Sequence, residues 1–138
     1  PEWLPMRESA ESNPELAKKY PLNILTPKAH AFLNSQYANE KAQQHRQGEQ
    51  TVMIHPSDAE SRGINEGQMV KVFNDRGSYE GKAIISDDTL PGVVVSFLGH
   101  WHLFNRGSAV NSISSNEFSN LGHAPSFSDN LVEVQAAS

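Results

Sequence analysis

Short apolar runs separated by turn residues form the hydrophobic pattern of this chain. Six runs have the β-branched or alternating composition of strands, and they cover residues 22–26, 51–55, 69–73, 78–86, 93–99 and 131–134. The runs 83–86 and 93–97 do not alternate cleanly between apolar and polar residues, which indicates burial on both faces. We therefore predict a mainly β fold with few helices, and a barrel is favoured over a sandwich.

The stretch 54–77, IHPSDAESRGINEGQMVKVFNDRG, carries the clearest helix and turn signals in the chain. Ser57 and Glu60 have the spacing of a capping box, and Gly63 supplies a left-handed stop within two turns. A short helix is therefore predicted between Ser57 and Gly63, with Asp58 at its start. These residues form no recognisable catalytic pattern, so the stretch is predicted to have a structural role rather than a catalytic one.

Turns and one loose internal similarity organise the rest of the chain. Gly67 predicts a tight turn before the third strand, and residues 74–77 predict the hairpin turn that leads into the fourth. A glycine-containing turn followed by an apolar strand occurs at 63–73 and again at 89–97, which suggests two related halves. The polar region 100–130 is a long loop, and loops of this length are usually functional or disordered.

Residues 1–20 differ in composition from the remainder, with several prolines and many charges. Asn13 is followed by proline, which predicts one short helix over 14–19 with Asn13 as its cap. We predict that 1–20 is a linker or an arm from a preceding domain and that 21–138 is a single domain. The chain begins with Pro1 rather than Met, so a fragment of a longer polypeptide is expected.

The composition argues against several kinds of function. The formal net charge is −5 and the basic residues are scattered, so nucleic-acid binding is not expected. The sequence has no cysteine, which excludes disulfides, thiolate nucleophiles, iron–sulfur clusters and sulfur-ligated zinc within it. No apolar run is long enough to span a bilayer, so direct membrane insertion is not expected.

Patterns typical of catalysis or metal binding are weak. His100 and His102 alternate as on one strand face and His123 follows in a loop. A three-histidine metal site is one interpretation of these residues, and ordinary loop histidines are the other. Ser35 with His30 lacks the glycine elbow and the placed acid that a nucleophile and its base require.

Two segments, 26–39 and 105–120, are dense in asparagine, serine, threonine and glutamine and nearly free of acidic residues. Neutral amides and hydroxyls offer directed donors and acceptors, which suits a polar, ring-containing ligand that bears phosphates. Ordinary solvated loops remain an equal alternative on composition alone.

Several motifs occur in a fixed order along the chain. They are LxxLTPxxxxxLNSQ at 22–36, VMIHPSDAESRGINEGQMVKVFNDRG at 52–77, LPGVVVSFLGHW at 90–101, AVNSIS at 109–114 and SDNLVEV at 128–134. Together they resemble the C-terminal molybdopterin-dinucleotide-binding domain of the dimethyl sulfoxide reductase family of molybdenum and tungsten oxidoreductases. The resemblance covers residues 21–134, and the central motif is fairly specific in this order.

This resemblance implies a double-psi β-barrel, which is six-stranded, closed and aspartate-decarboxylase-like, with short helices and long polar loops. It also implies that the domain binds part of a bis(molybdopterin guanine dinucleotide) cofactor, whose molybdenum or tungsten performs two-electron redox chemistry or oxygen-atom transfer. The metal ligand and any iron–sulfur cysteines of the family belong to earlier domains. Hence this chain alone is not expected to be catalytically active. The implied partners are the preceding domains of the same polypeptide and electron-transfer subunits.

Family contacts carry over to four groups of residues. The implied cofactor-binding residues are Thr26, Pro27, Lys28, His30, Asn34, Ser35 and Gln36 after the first strand, then Asn111 with Ser112, and Ser128 with Asp129. Trp101 and His102 are carried over as borders of the substrate funnel. No catalytic residue and no metal ligand are expected in this chain.

Two other functions remain open on the sequence. A stand-alone double-psi barrel, as in certain ATPases, would serve as a substrate- or protein-recognition module and would not need the amide-rich loops. A self-processing decarboxylase needs a glycine-serine pair, which Gly77-Ser78 and Gly107-Ser108 supply without the rest of that pattern.

Overall fold

Six strands, three short α-helices and two 3₁₀ turns make up the regular structure of the computed structural model, which describes residues 5–119, 122–125 and 127–137. Residues 1–4 of the predicted arm and Asn120 of the second amide-rich segment lie outside these ranges. The strands are β1 (Leu22–Leu25), β2 (Thr51–Ile54), β3 (Met69–Phe73), β4 (Ser78–Ile85), β5 (Val93–Val95) and β6 (Leu131–Ala136). The helices are α1 (Pro14–Lys19), α2 (Lys41–Gln47) and α3 (Pro56–Ser61). No helix in the described part is long and apolar enough to cross a membrane.

The strands close into a barrel in the order β1-β5-β2-β4-β3-β6. β1 pairs with β5 and β2 pairs with β4 in parallel, whereas the other four pairings are antiparallel. Exchanging β1, β2 and β3 for β4, β5 and β6 reproduces every pairing, so the barrel has two topologically equivalent halves. This is the double-psi β-barrel, and the predicted fold class is confirmed.

The internal similarity that the sequence suggested does not correspond to these halves. Residues 63–73 lead into β3 and residues 89–97 contain β5. The topology instead relates β3 to β6 and β5 to β2. The prediction that residues 63–73 and 89–97 mark the two related halves was therefore wrong. Similar glycine-containing turns precede these two strands, but the strands are not equivalent in the barrel.

In most strands every second side chain fills the barrel interior, and β6 buries the consecutive residues Leu131 and Val132 as well as Val134. In β3, for example, Val70 and Val72 are fully buried while their neighbours are half-buried. In β5, Val94 is buried and Val93 and Val95 are half-buried, so burial on both faces was predicted too strongly there. The outward residues of these two strands are shielded only in part.

Strand lengths differ from the predicted ones mainly at β5 and β6. β5 ends at Val95 instead of residue 99, and the hydroxyl of the following Ser96 donates inward to the carbonyl of Thr51 at 2.7 Å. β6 continues two residues past the predicted end to Ala136, which pairs with Val70. Both changes follow from pairing with neighbouring strands, which composition alone does not encode.

The start of α3 corrects the predicted cap. His55, not Ser57, is the capping residue, and its Nδ1 accepts a hydrogen bond from the Ser57 backbone N–H at 3.2 Å. Pro56 begins the helix two residues earlier than the capping box would, because its fixed φ suits the first helical position. Asp58 lies in the first turn as predicted, and its carboxylate accepts from the Gly92 N–H at 2.7 Å.

The end of α3 is the predicted glycine stop. Gly63 has φ +62°, and its N–H donates to the Glu60 carbonyl at 3.1 Å. The next residue, Ile64, donates to the Ala59 carbonyl at 2.9 Å and buries its side chain. This pair of bonds is a Schellman motif, which satisfies the last carbonyls of the helix.

The N-terminal segment packs on the barrel through α1 and Tyr20. Asn13 caps α1 as predicted, since its side-chain oxygen accepts from the Leu16 N–H at 3.2 Å. Tyr20 is buried and meets the Phe73 ring edge-on, with 6.1 Å between ring centroids. The segment therefore lies against the barrel surface, and the boundary near residue 20 stays a prediction.

Gly63→Ala is expected to lower the free energy of unfolding by about 1 kcal/mol, because a side chain at this left-handed position is strained. No heavy atom lies within 4 Å of the position that a Cβ would occupy, so the loss reflects backbone conformation alone. Urea denaturation of the chain measures it.

Gly63→Asn is the matched control, since asparagine tolerates positive φ better than alanine does. A smaller loss than that of alanine is expected. Equal losses for the two variants, or no loss for alanine, would contradict this account of the helix stop.

Candidate functional site

A cavity of about 810 Å³, here called the groove, opens at the carboxyl ends of β1 and β5. Because these strands are parallel neighbours, the segments that follow them leave the barrel at the same edge. An isolated parallel bridge between Lys28 and Leu98 continues their pairing, and the Leu98 N–H donates to the Pro27 carbonyl at 2.9 Å. The volume lies within the range of small-molecule and cofactor sites.

The groove brings together residues from five separate parts of the chain. They are Thr26, Pro27 and Lys28, then Asn34 and Ser35, then Leu98, Gly99, His100, Trp101 and His102, and finally Ala109, Val110, Asn111, Ser114 and Phe127. Six of the predicted cofactor residues are among them, and so are the two predicted for the funnel. Sequence reasoning missed the groove positions of Leu98, Gly99 and Phe127, since apolar residues and glycine carry no chemical signal of their own.

Five predicted cofactor residues do not line the groove, namely His30, Gln36, Ser112, Ser128 and Asp129. His30 is exposed, and its ring centroid lies 6.5 Å from that of Phe97. Asp129 lines a different and smaller cavity beside Glu8. The assignment of these five residues to cofactor binding stays a prediction.

A tight turn at residues 33–36 forms one lip of the groove. Leu33 and Gln36 bond each other in both directions, with N···O distances of 3.2 and 2.9 Å. Asn34 lies between them at φ +54°, a conformation that asparagine adopts more readily than most residues. The indole N–H of Trp101 donates to the Ser35 carbonyl at 2.6 Å, which ties this turn to the segment after β5.

Gly99 permits the close approach of the two segments. Its φ is +114°, and a Cβ built there would stand 2.6 Å from the carbonyl oxygen of Asn34. Any side chain at this position would push the turn away. Phe32 packs beneath it, buried and edge-on to His100 with 5.1 Å between ring centroids.

The opposite wall is a 3₁₀ turn at Val110–Ile113, here called the Asn111 turn. Val110 and Ile113 bury their side chains in the barrel core, at 4% and 0% exposure. Asn111 between them is exposed and lines the groove. The apolar anchors therefore hold the backbone while the amide remains free to meet a ligand.

The groove differs in charge from the chain as a whole. No acidic residue is found among the described residues that line it, although the chain has a net charge of −5. Lys28 contributes a cation and makes no ion pair with any described residue. A wall with amides, hydroxyls and one lysine suits an anionic ligand with a polar ring edge.

His100 separates the groove from a second cavity of about 520 Å³ between α2 and the 3₁₀ turn at His102–Phe104. Burial lowers the pKa of His100, and this outweighs the opposite effect of the Gly48 carbonyl, which lies 3.2 Å from Nε2. The imidazole is therefore held neutral near pH 7. His100 is thus a neutral polar side chain of the groove, and it is not a second cation beside Lys28.

The three-histidine interpretation has no counterpart in the described residues. There, no group of three or more histidine and acidic side chains is placed to hold a metal ion. His100 instead contacts Phe32 and the Gly48 carbonyl.

The architecture and the groove define a class, which is a closed double-psi barrel domain with a cofactor-sized, acid-free binding groove. The sequence narrows this class to one family. Residues 22–131 match the family described as "Molydopterin dinucleotide binding domain". The chain belongs to this family of molybdopterin-dinucleotide-binding domains, and the predicted family resemblance is confirmed.

Relatives with curated names are much longer proteins. Trimethylamine-N-oxide reductase 1 of Escherichia coli strain K12 is 33% identical over 110 residues, which are 78% of this chain and 13% of that protein. A dimethyl sulfoxide reductase of the same strain is 30% identical over 125 residues, which are 87% of this chain and 15% of that protein. The chain thus spans less than a fifth of the length of the relatives it matches.

Among solved structures, acetylene hydratase from Pelobacter acetylenicus has a similar fold. The TM-score is 0.87 at 18% sequence identity, and the match covers 99% of this chain and 21% of that one. At this identity the likeness shows the barrel fold and nothing further.

His100→Gln is expected to weaken the acid sensitivity of the chain. The folded state lowers the pKa of His100 from 6.5, so the unfolded state binds its proton first as the pH falls. The stability that neutral His100 contributes is present above pH 6.5 and is lost below it. Urea denaturation at about pH 7.5 and about pH 5 measures the difference. A loss of stability as large in the variant as in the parent chain would contradict this assignment.

Proposed function

We propose that the groove binds part of a bis(molybdopterin guanine dinucleotide) cofactor, and that the chain is the cofactor-binding domain of a larger molybdenum or tungsten oxidoreductase. The observation that carries this proposal is the acid-free groove at the carboxyl ends of β1 and β5, within a chain of net charge −5. Family membership supports the same ligand class.

The groove residues match the two kinds of surface that such a cofactor presents. Its pyrophosphate is anionic, and Lys28 is the cation that faces the groove. Its heteroaromatic edges carry donors and acceptors, which Asn34, Ser35 and Asn111 complement as neutral partners. Trp101 and Phe127 add apolar surface against which a ring system packs.

The role of this chain is binding and orientation. When bound, the cofactor supplies two-electron redox chemistry at its metal, including oxygen-atom transfer. Asn34 and Asn111 would hold its polar edges from opposite walls, and the bond from Trp101 to Ser35 would keep one wall in place. The metal ligand and the substrate pocket would come from other domains of the same polypeptide.

Exposed apolar side chains near the groove support a covering by further protein. Phe127 is 66% exposed, and Leu103 and Phe104 beyond Trp101 are 71% and 52% exposed. Exposed apolar side chains of this size support an interaction surface on these segments. The preceding domains of the polypeptide are the partners we propose for it, and electron-transfer subunits would join the assembled enzyme.

Asn111→Ala and Ser35→Ala in the complete enzyme are each expected to lower cofactor content by about threefold or more, since each removes a polar contact to the buried ligand. Cofactor content is measured as GMP released by acid hydrolysis per protein, together with bound molybdenum or tungsten. The isolated 138-residue variants should unfold at the same urea concentration as the parent chain.

Asn116→Ala is the matched control, because this asparagine is exposed on the same segment and lies outside the groove. It should leave the cofactor content unchanged. Full cofactor content in both Asn111→Ala and Ser35→Ala would refute the proposed site.

A further inference from the structure

The hairpin turn at residues 74–77, here called the seat, lies directly against the Asn111 turn. The Asn74 side chain donates to the Ile113 carbonyl at 2.9 Å, and Arg76 Nε donates to the same oxygen at 2.9 Å. At Gly77 a Cβ would stand 2.6 Å from the Ser112 carbonyl oxygen. The seat therefore holds the end of the Asn111 turn by two hydrogen bonds and by backbone contact.

Asn130 connects Arg76 to further residues on the same side of the groove. It is fully buried, and its side-chain oxygen accepts from Arg76 Nη2 at 3.1 Å and from the Ser115 N–H at 3.0 Å. Its amide group donates to the Phe127 carbonyl at 2.9 Å. Arg76 is thus connected, through one buried amide, to both ends of the groove wall that Asn111 and Phe127 form.

The N-terminal segment also contacts the seat, through Glu8 and Tyr20. The Glu8 carboxylate accepts from Arg76 Nη1 at 2.5 Å and Nη2 at 3.0 Å, and it also accepts from the Leu131 N–H at 3.2 Å. The Glu8 side chain is only 14% exposed. Next to Arg76, Asp75 accepts from the Tyr20 hydroxyl at 2.8 Å.

We propose that Arg76 is a positioning residue for the groove, which sets the place of the Asn111 turn and couples it to the arm through Glu8. The guanidinium donates hydrogen bonds to the Ile113 carbonyl, Asn130 and Glu8 at the same time. A lysine ammonium or a glutamine amide cannot donate in these three directions with the same planar geometry. The inference rests on the proposed cofactor function, because it concerns how the chain presents Asn111 to that ligand.

Arg76→Gln in the complete enzyme is expected to release the cofactor about tenfold faster, an effect typical of residues that orient a ligand's direct contacts. GMP retained per protein after dilution at a series of times gives the rate. Glu8→Gln should show a smaller increase in the same direction, because it weakens the bonds that Glu8 accepts from Arg76 and the Leu131 N–H while Arg76 keeps its bonds to Ile113 and Asn130.

Arg62→Gln is the matched control. Arg62 also forms a partly buried pair with a glutamate, Glu133, at 2.6 Å, and none of its hydrogen bonds or ion pairs among the described residues reaches a residue that lines the groove. It should destabilise the barrel to a similar degree while the rate of cofactor release stays that of the parent enzyme. A release rate in Arg62→Gln equal to that in Arg76→Gln would reduce Arg76 to a structural role and overturn the proposal.

Hydrogen exchange in the 138-residue chain provides a readout that needs no cofactor. The N–H groups of Ser112, Ser114 and Ser115 are hydrogen-bonded in the parent chain. In Arg76→Gln their exchange should accelerate about tenfold relative to the strand amides of β3 and β6. Uniform acceleration over the whole barrel, or none, would also overturn the proposal.

The two proposals fail separately. If Asn111→Ala and Ser35→Ala both retain the cofactor fully, the groove is not the cofactor site and the proposed function fails. If Asn111→Ala loses cofactor while Arg76→Gln releases it at the parent rate, the site stands and the positioning role of Arg76 is refuted. Parent-like release in Glu8→Gln would remove the coupling to the arm.

Discussion

The parallel pairing of β1 with β5 is the constraint on which the groove depends. Two strands that are distant in sequence end side by side, so the irregular segments after them face one another across the barrel edge. The bridge from Lys28 to Leu98 prolongs this pairing into both segments. A barrel with only antiparallel neighbours would send these two segments to opposite ends, and no common cavity would form.

The barrel strands and the irregular segments contribute to the groove in different ways. The barrel supplies rigidity through a continuous apolar core, which includes Val110 and Ile113 of the Asn111 turn. The segments that line the groove have little regular structure, and a few polar contacts hold each of them. Trp101, itself a groove residue, bonds the turn at 33–36, whereas the seat bonds the Asn111 turn from outside the groove.

The fold was largely predictable from the sequence, and the groove only in part. The glycine stop at Gly63 and the Asn13 cap rest on local chemistry, which a sequence displays directly. The cap at His55 was missed because an imidazole acceptor is a less familiar cap than a serine hydroxyl. The place of Gly99 was missed because it depends on contact with Asn34, which only the folded chain brings near.

Arg76 and Asn74 both donate to a main-chain oxygen of the Asn111 turn, an atom that every residue type possesses. The location of that turn is consequently insensitive to which side chains it carries on its outer face. Substitution at position 111 can alter what the wall recognises while the wall itself stays where it is. Domains with this arrangement can diverge in ligand preference through single replacements, without a compensating change in the barrel.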